Sequence, residues 1–419
     1  MSLLEICKKA KRSSFELAKL SSESKKKAIQ KIAISLESNK EKILAANRMD
    51  VQAAKKDRLK VALLDRLALD EKKIKGMARS LQEVAELPDP IGTIPRTWTR
   101  PNGLIIGQLR VPLGVIGVIY ESRPDVTSDA AGICLKSGNA VILRGGSDAI
   151  HSNTSIGESL KEGLLGTDVP PDAIQVIESI ERSTAEEFMR MREYVDVLIP
   201  RGGANLIKTV IEKASIPVIE TGTGNCHIYV EEDADLDKAV NIVINAKCQR
   251  PGTCNAAEKL LVHRNLAKRF LPTVIDALRA HGVEIRADEE TAKIVPDVKV
   301  ATEEDWYTEY LDLIMGVKIV KDLDDAIAHI SKYGTKHSES IITMDFEKAQ
   351  RFIREVDSAA VYWNASTRFT DGNQFGLGAE IGVSTQKTHA RGPMSVEHLT
   401  TTKYFILGSG QIRDSTSST

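Results

Sequence analysis

Twice in this chain a short apolar run ends on an arginine and two glycines and passes into a helical pattern: Val141-Ile142-Leu143-Arg144-Gly145-Gly146-Ser147 and Ile199-Pro200-Arg201-Gly202-Gly203-Ala204. An apolar run without polar interruption cannot keep one face in water, so it belongs in a sheet covered on both sides. The glycine turn that follows leaves backbone N–H groups unshielded at the start of a helix, where an anion such as a phosphate is attracted. Around these turns, strand-like segments at 114–120, 140–144, 174–177 and 195–199 alternate with helical segments at 125–136 and 152–165 and one running to 213. That alternation predicts a doubly wound α/β domain with right-handed connections. Neither turn carries the full GxGxxG fingerprint, so either alone also fits a plain βα turn, and the pair is the stronger signal.

Helices precede this domain. Ser21 and Ser24 can cap a segment in which Ile29, Ile32, Ala33 and Leu36 recur at helical spacing, and 40–56 and 70–87 continue in that style until Pro88, Pro90 and Pro95. Residues 97–110 alternate around Pro101-Asn102-Gly103 and predict a β-hairpin. After a predicted strand at 216–220 and the glycine-rich Thr221-Gly222-Thr223-Gly224, a second α/β stretch begins at 227–230. It continues with a helix at 236–247, a strand at 259–262, a helix at 267–281 and strands near 317–320, 340–343 and 360–361. The two halves are not repeats of one another. The small polar residues of 408–419 predict a frayed end.

With 57 basic against 58 acidic side chains and a net charge of -1, the chain has no gross electrostatic footprint for nucleic acid or an acidic membrane. Its 419 residues suffice for two or three domains. No apolar run approaches the roughly 20 residues that span a bilayer. The first twenty residues mix Lys8, Lys9, Lys11 and Arg12 with acids rather than forming a signal sequence, so a soluble cytoplasmic protein is expected. Five scattered cysteines (Cys7, Cys134, Cys226, Cys248, Cys254) argue for a reducing compartment and free thiols.

Of these thiols Cys254 has the setting of a nucleophile. In Gln249-Arg250-Pro251-Gly252-Thr253-Cys254-Asn255-Ala256-Ala257-Glu258 a Pro-Gly turn separates an amphipathic helix from an apolar strand, placing the thiol beside backbone N–H groups able to hold an oxyanion. The competing reading is a half-buried structural cysteine. Cys248 is six residues away, the wrong spacing for a zinc site, and no metal is expected. Glu220, read as the end of a strand at the border of the two α/β stretches, is a candidate base or substrate-positioning carboxylate, or else a capping or salt-bridging residue. Cys226 and His227 should point to opposite faces of a strand. Near the end, 364–372, 375–380 and 389–393 carry Gly, hydroxyl and Arg side chains with little periodicity and read as binding loops.

Taken together, Glu121-Ser122-Arg123-Pro124-Asp125-Val126-Thr127, 199–203, 220–227, 249–258, Lys336-His337-Ser338, 364–372 and 389–393 closely resemble, in order, the strings of a proline-biosynthesis family within the aldehyde dehydrogenase superfamily. That family is the gamma-glutamyl phosphate reductases, also called glutamate-5-semialdehyde dehydrogenases. The resemblance implies two doubly wound α/β domains and a β-hairpin oligomerisation flap. The cofactor-binding domain would be 1–225, with the hairpin 97–110 inserted and 362–398 returning to it; 226–384 would be catalytic, 399–413 a flap strand and 414–419 a disordered tail. A homo-oligomer follows from the exposed flap edge.

The implied activity is an NADPH-dependent oxidoreductase that converts L-glutamyl 5-phosphate to L-glutamate 5-semialdehyde and phosphate through a thioester. Cys254 matches the superfamily's catalytic cysteine, and Glu220 the glutamate that activates water in its hydrolytic members. Ser122 falls at the oxyanion asparagine, and Ser395 where a glycine commonly follows Gly-Pro-Met. Arg144 replaces a lysine on the adenosine ribose, and Ser147 replaces an acid, which favours NADP over NAD. Gly145, Arg201, Gly202 and Gly203 complete the cofactor turns, and the nicotinamide-ribose carboxylate falls to Glu309 or Asp312. Arg123, Arg368 and Arg391 are candidates for the substrate's carboxylate and phosphate, or for internal ion pairs. A functional encounter with glutamate 5-kinase would hand over the labile acyl phosphate. The alternatives are another acylating aldehyde dehydrogenase, such as a coenzyme A-dependent one, a cofactor-binding module without turnover, and a thiol hydrolase pairing Cys254 with His227.

Overall fold

The computed structural model describes residues 1–57 and 61–413, which form two compact α/β units. Met1–Ile219, Leu377–Ile381 and the chain from Met394 onward make the first; Glu220–Gly376 and Gly382–Pro393 make the second.

The first unit opens with five helices, α1 (Leu3–Leu17), α2 (Ser22–Ser38), α3 (Lys40–Lys56), α4 (Val61–Leu67) and α5 (Glu71–Glu86). The capping residues of the sequence act as expected: the Ser21 hydroxyl accepts the Ser24 N–H at 3.1 Å, and Asp70 accepts the Lys73 N–H at 2.6 Å. Helix α2 buries Ile29, Ile32, Ala33 and Leu36 and packs on α5 and α7 (Ile150–Leu164). The predicted hairpin is β1 (Arg96–Thr99) with β2 (Ile105–Pro112), turning through Gly103 at φ 87°. A third strand, Thr400–Leu407, pairs antiparallel with β2 along its whole length.

The remaining strands of this unit are β3 (Val115–Tyr120), β4 (Ala140–Arg144), β5 (Ile174–Val176) and β6 (Val197–Arg201), in a parallel sheet of order β5-β4-β3-β6. Helices α6 (Asp125–Lys136), α7, α8 (Arg182–Phe188) and α9 (Ala204–Lys213) connect them or follow. All six residues of β3 are buried, as an uninterrupted apolar run requires. The strand expected at 216–220 is a correction: only Val218 bridges to Leu198. Leu198 donates to the Pro217 carbonyl and accepts from Ile219, but Pro217 has no N–H of its own and the ladder stops there. The predicted tail at 414–419 lies outside the described residues.

The second unit holds β7 (Cys226–Val230), α10 (Leu236–Cys248), β8 (Ala257–His263), α11 (Arg264–Ala280), β9 (Glu284–Ala287), α12 (Glu289–Ile294), β10 (Lys299–Val300), α13 (Glu303–Tyr307), β11 (Ile314–Val320), α14 (Leu323–Tyr333), β12 (Ser338–Ile342), α15 (Phe346–Glu355) and β13 (Ala360–Trp363). Its seven-stranded parallel sheet has the order β10-β9-β11-β8-β7-β12-β13. The segments that enter β7, β8, β11 and β12 therefore lie along one edge of the sheet. No described helix is long and apolar enough to cross a membrane.

Helix α6 follows the 121–124 segment and carries Asp129, whose carboxyl burial and the charge of Asp125 push up to about 7. Its unfolded value lies near 4, so the stability associated with the protonated form is present below that pH and is lost as pH rises through about 7. Asp129→Asn keeps an acceptor for the Ser80 hydroxyl, which donates at 2.9 Å. The substitution should raise the unfolding temperature by roughly 2–4 °C at pH 8 and by less at pH 5, read by thermal melts at the two values.

Candidate active site

In the first unit the candidate residues gather at the carboxyl ends of β3, β4 and β6, where an open parallel sheet places its ligands. The Glu121 N–H donates to the Arg201 carbonyl at 3.1 Å, and the Glu121 carboxylate accepts the Gly203 N–H at 3.0 Å. This ties the turn after β3 to the turn after β6. Ser122 holds a left-handed φ of 45° and gives its hydroxyl hydrogen to Asp148. An oxyanion role for Ser122 therefore requires that bond to open. A Cβ at Gly145 would run into the buried Asn153 amide, and one at Gly202 would have to displace the end of the Glu121 side chain.

Arg144 is half-buried, reaches the Ile180 carbonyl at 3.4 Å through Nη2, and keeps Nε buried without an acceptor. Burial lowers its pKa and the charge of Glu121 opposes that. Ser147 is exposed at the start of the turn into α7, and Arg201 is half-buried at the end of β6. Arg123 is half-buried and has no carboxylate partner among the described residues.

In the second unit Cys254 occupies the first corner of a turn that the Ala256 N–H closes on the Thr253 carbonyl at 3.0 Å. The thiol residue is half-buried. Its own carbonyl accepts the Cys226 thiol at 3.2 Å, and a Cβ on Gly224 would fall on that same carbonyl. Gly224 in turn donates its N–H to Glu309 at 2.6 Å. Asp312 is exposed and accepts the N–H of its neighbour Leu313 at 2.7 Å, whereas Glu309 is bonded to Gly224, the residue packed on the Cys254 carbonyl.

Glu309 is held there by charges buried in α10 and β8. Lys247 and Glu258, both fully buried, pair at 2.9 Å, and the other Glu258 oxygen accepts the Leu311 N–H at 3.2 Å. Burial pushes the Glu258 carboxyl up against the pull of Lys247. Lys259 donates to the Thr308 carbonyl at 2.7 Å and lies over the Tyr310 ring at 4.5 Å, and burial brings its ammonium down to about 7. The segment carrying Glu309 is thus anchored on both sides.

Glu220 does not end a strand. It exchanges two bonds with one amide: its N–H donates to Gln386 at 3.0 Å and its carboxylate accepts from Gln386 at 2.7 Å. His227 Nδ1 meets Glu339 at 3.1 Å while the Cys226 thiol donates to the Cys254 carbonyl, and the pairing register with β8 shifts between the two residues. Burial drives His227 down to about 3, and its buried Nε2 has no hydrogen-bond partner among the described residues.

Arg391 is engaged by Asp357, at 2.9 Å to the carboxylate and 3.1 Å to the carbonyl, and Lys387 and Arg391 together hold Asp357 down at about 2. Arg368 bonds Gln249 and Asn255 on the nucleophile loop itself. The sequence reading missed Gln386, Asp148 and the supporting role of Asn255. Only Asn255 had a local signal, its place directly after the cysteine.

Residues 2–299 match the aldehyde dehydrogenase family. The chain is 59% identical over 411 residues to gamma-glutamyl phosphate reductase of Carboxydothermus hydrogenoformans, covering 98% of this chain and 99% of that one. The crystal structure of gamma-glutamyl phosphate reductase from Thermotoga maritima superposes with a TM-score of 0.96 at 53% identity, covering 99% of this chain and 100% of that one. An acetylating aldehyde dehydrogenase from Geobacillus thermoglucosidasius, 18% identical with a TM-score of 0.71 over 98% of this chain and 97% of that one, shares the fold. The chain belongs to the aldehyde dehydrogenase family of nicotinamide-dependent oxidoreductases and, within it, to the gamma-glutamyl phosphate reductases.

Because a methyl group at 224 and the Cys254 carbonyl cannot share one place, Gly224→Ala must displace the nucleophile loop. Catalytic turnover should fall by about 100-fold, the loss that follows from roughly 1 Å of misplacement, while far-ultraviolet circular dichroism stays unchanged.

Proposed function

We propose that this chain reduces L-glutamyl 5-phosphate with NADPH, releasing phosphate and L-glutamate 5-semialdehyde in proline biosynthesis, with Cys254 as the covalent nucleophile. The observation that carries the reading is the placement of Cys254 at the corner of a turn whose peptide is gripped from behind by Cys226 and Gly224. Near-identity of length and the 59% identity to a gamma-glutamyl phosphate reductase support the substrate.

The Cys254 thiolate attacks the acyl carbon, and its own backbone N–H is the donor nearest the developing oxyanion. Phosphate departs with the bonding pair, leaving a thioester on Sγ. A reduced nicotinamide supplies, when bound, the hydride that this thioester must accept. Cys254 then leaves as thiolate, and no water is consumed at any stage. That account needs no general base, in keeping with a Glu220 carboxylate engaged by Gln386.

Two observations support a dinucleotide at the glycine turns of the first unit: the buried Nε of Arg144 has no hydrogen-bond partner among the described residues, and a Cβ at Gly145 would run into the buried Asn153 amide. Arg144 and Ser147 would hold the 2′-phosphate of NADP, and a phosphate at the Gly203 N–H would take the place of the Glu121 carboxylate. Glu309 would hold the nicotinamide ribose. Arg123, which has no ion-pair partner among the described residues, would meet the substrate's carboxylate, since Arg391 would first have to release Asp357.

Wild-type protein should reduce NADP when given glutamate semialdehyde and phosphate, roughly tenfold or more faster than it reduces NAD in kcat/KM, the worth of one charge-assisted contact to the 2′-phosphate. Cys254→Ser should bring that rate to background. Turnover that survives in the serine variant sinks the covalent mechanism, and equal rates with NAD sink the cofactor assignment.

The strand Thr400–Leu407 is one free edge of its three-stranded sheet, and Tyr404, Ile406 and Leu407 along it are exposed. An apolar open edge fits a second copy of the chain, so the working form is a homo-oligomer. Ile406→Lys should lower the mass measured by multi-angle light scattering to that of a smaller assembly. An unchanged mass would place the contact elsewhere.

A further inference from the structure

Arg368 reads from sequence as a substrate arginine, but its contacts serve the nucleophile loop. Nε donates to the Gln249 side chain at 2.8 Å, and Nη1 donates to the Asn255 side chain. Gln249 stands at the end of α10 and Asn255 just before β8, so one guanidinium joins the two ends of the loop that carries Cys254. Guanidinium geometry suits this task, because its donors diverge in a fixed plane and reach two acceptors at once.

Asn255 is almost wholly buried and its side chain is fully employed. Its amide nitrogen donates to the Thr370 carbonyl at 2.9 Å, while its oxygen accepts from Arg368 and, at 2.9 Å, from the Thr253 hydroxyl. Its backbone carbonyl accepts the Thr367 hydroxyl at 2.7 Å. The segment 366–370 is itself fixed from beneath, where the Thr370 hydroxyl shares hydrogen bonds with Ser338 at 2.6 Å and Tyr362 at 2.7 Å. A rigid mould therefore surrounds the residue next to the nucleophile.

We infer that Arg368 and Asn255 are a positioning pair for the covalent step: Arg368 staples the loop 249–255 shut and brings its positive charge to the Cys254 thiol, and it does not bind the substrate's carboxylate. The electrostatic surroundings agree with this. Burial and the nearby Arg250 charge lower the Arg368 pKa, whereas Asp371, Cys254 and Cys226 raise it. The titratable and charged groups around the loop include Arg250 on the loop itself, Arg368 and Asp371 on the mould, Cys226 on β7 with His337 and Glu339 beside it, Glu258 on β8 and Glu309 at Gly224.

The test measures the pH dependence of Cys254 alkylation by iodoacetamide in the full-length protein, without cofactor or substrate, so it stands apart from the proposed reaction. Peptide mapping reports Cys254 alone. Arg368→Gln should move the alkylation midpoint up by about one pH unit, the effect of removing one opposite charge nearby. In the semialdehyde assay, which does rest on the proposed reaction, its kcat should fall about 100-fold with KM within about threefold. Arg368→Lys keeps the charge and loses the fork, so its midpoint should stay near wild type while kcat stays low. Gln249→Met, an exposed change that cuts one arm of the staple, should lower kcat about tenfold even if Arg368→Gln fails to fold. An unmoved alkylation midpoint in Arg368→Gln overturns the inference, as does a tenfold KM rise at unchanged kcat or a fully active Gln249→Met protein.

Discussion

Much of the second unit depends on the close approach of Gly224 and Cys226 to the Cys254 carbonyl. Parallel pairing of β7 with β8 brings the segments that enter both strands to one edge of the sheet, with Cys226 opposite Ala257. There the chain before β7 lies so tightly on the nucleophile turn that no side chain fits at 224. A carbonyl held in place by a thiol donor and a glycine backbone cannot rotate its peptide plane. The preceding peptide, which carries the Cys254 N–H, is held separately, its Thr253 carbonyl accepting the Ala256 N–H at 3.0 Å, so both planes that flank Cys254 are fixed by hydrogen bonds.

Such a site rests on polar groups with no access to water. Lys247 and Glu258 pair with full burial beneath the loop, and Lys259 beside them is buried as well. Removing one partner of a buried pair typically costs about 3–5 kcal/mol, because the remaining charge is left stranded, whereas a well-packed apolar substitute for both is often neutral. Mere stability therefore does not explain these residues. What they do that leucines could not is bond the backbone of residues 308 and 311 and so aim Glu309 at Gly224.

The pieces legible in the sequence are those whose cause is local. Periodicity and caps locate α2, α3, α5 and α6, the Pro101-Asn102-Gly103 turn locates the hairpin, and the Pro-Gly turn before Cys254 marks the candidate nucleophile. Helix α15 is strongly two-faced yet went unread, and β9 and β10 are too short to stand out. The expected strand at 216–220 failed because one proline removes a donor that an apolar pattern cannot reveal. Partners were the least legible. Asn255 meets Thr370 across 115 positions and Glu220 meets Gln386 across 166, distances over which composition and period carry no information. Arg368 was singled out as an anion-binding residue, and the structure shows its guanidinium on neutral amides.

Chemistry accounts for the engagement of the Glu220 carboxylate and the His227 imidazole. An acyl phosphate brings its own good leaving group, and hydride addition to a thioester followed by loss of thiolate needs no proton taken from water. A strong base near the thioester would do harm, since activating water there diverts the acyl group to a free acid. Glu220 is tied at its N–H and its carboxylate to one glutamine, and His227 is buried neutral against Glu339, one strand position past the thiol of Cys226. The groups best suited to activate water are thus the ones most fully engaged elsewhere. Arg368, bonded to Gln249 and Asn255 at the two ends of the Cys254 loop, is a cation instead, and a cation favours the thiolate without supplying a base.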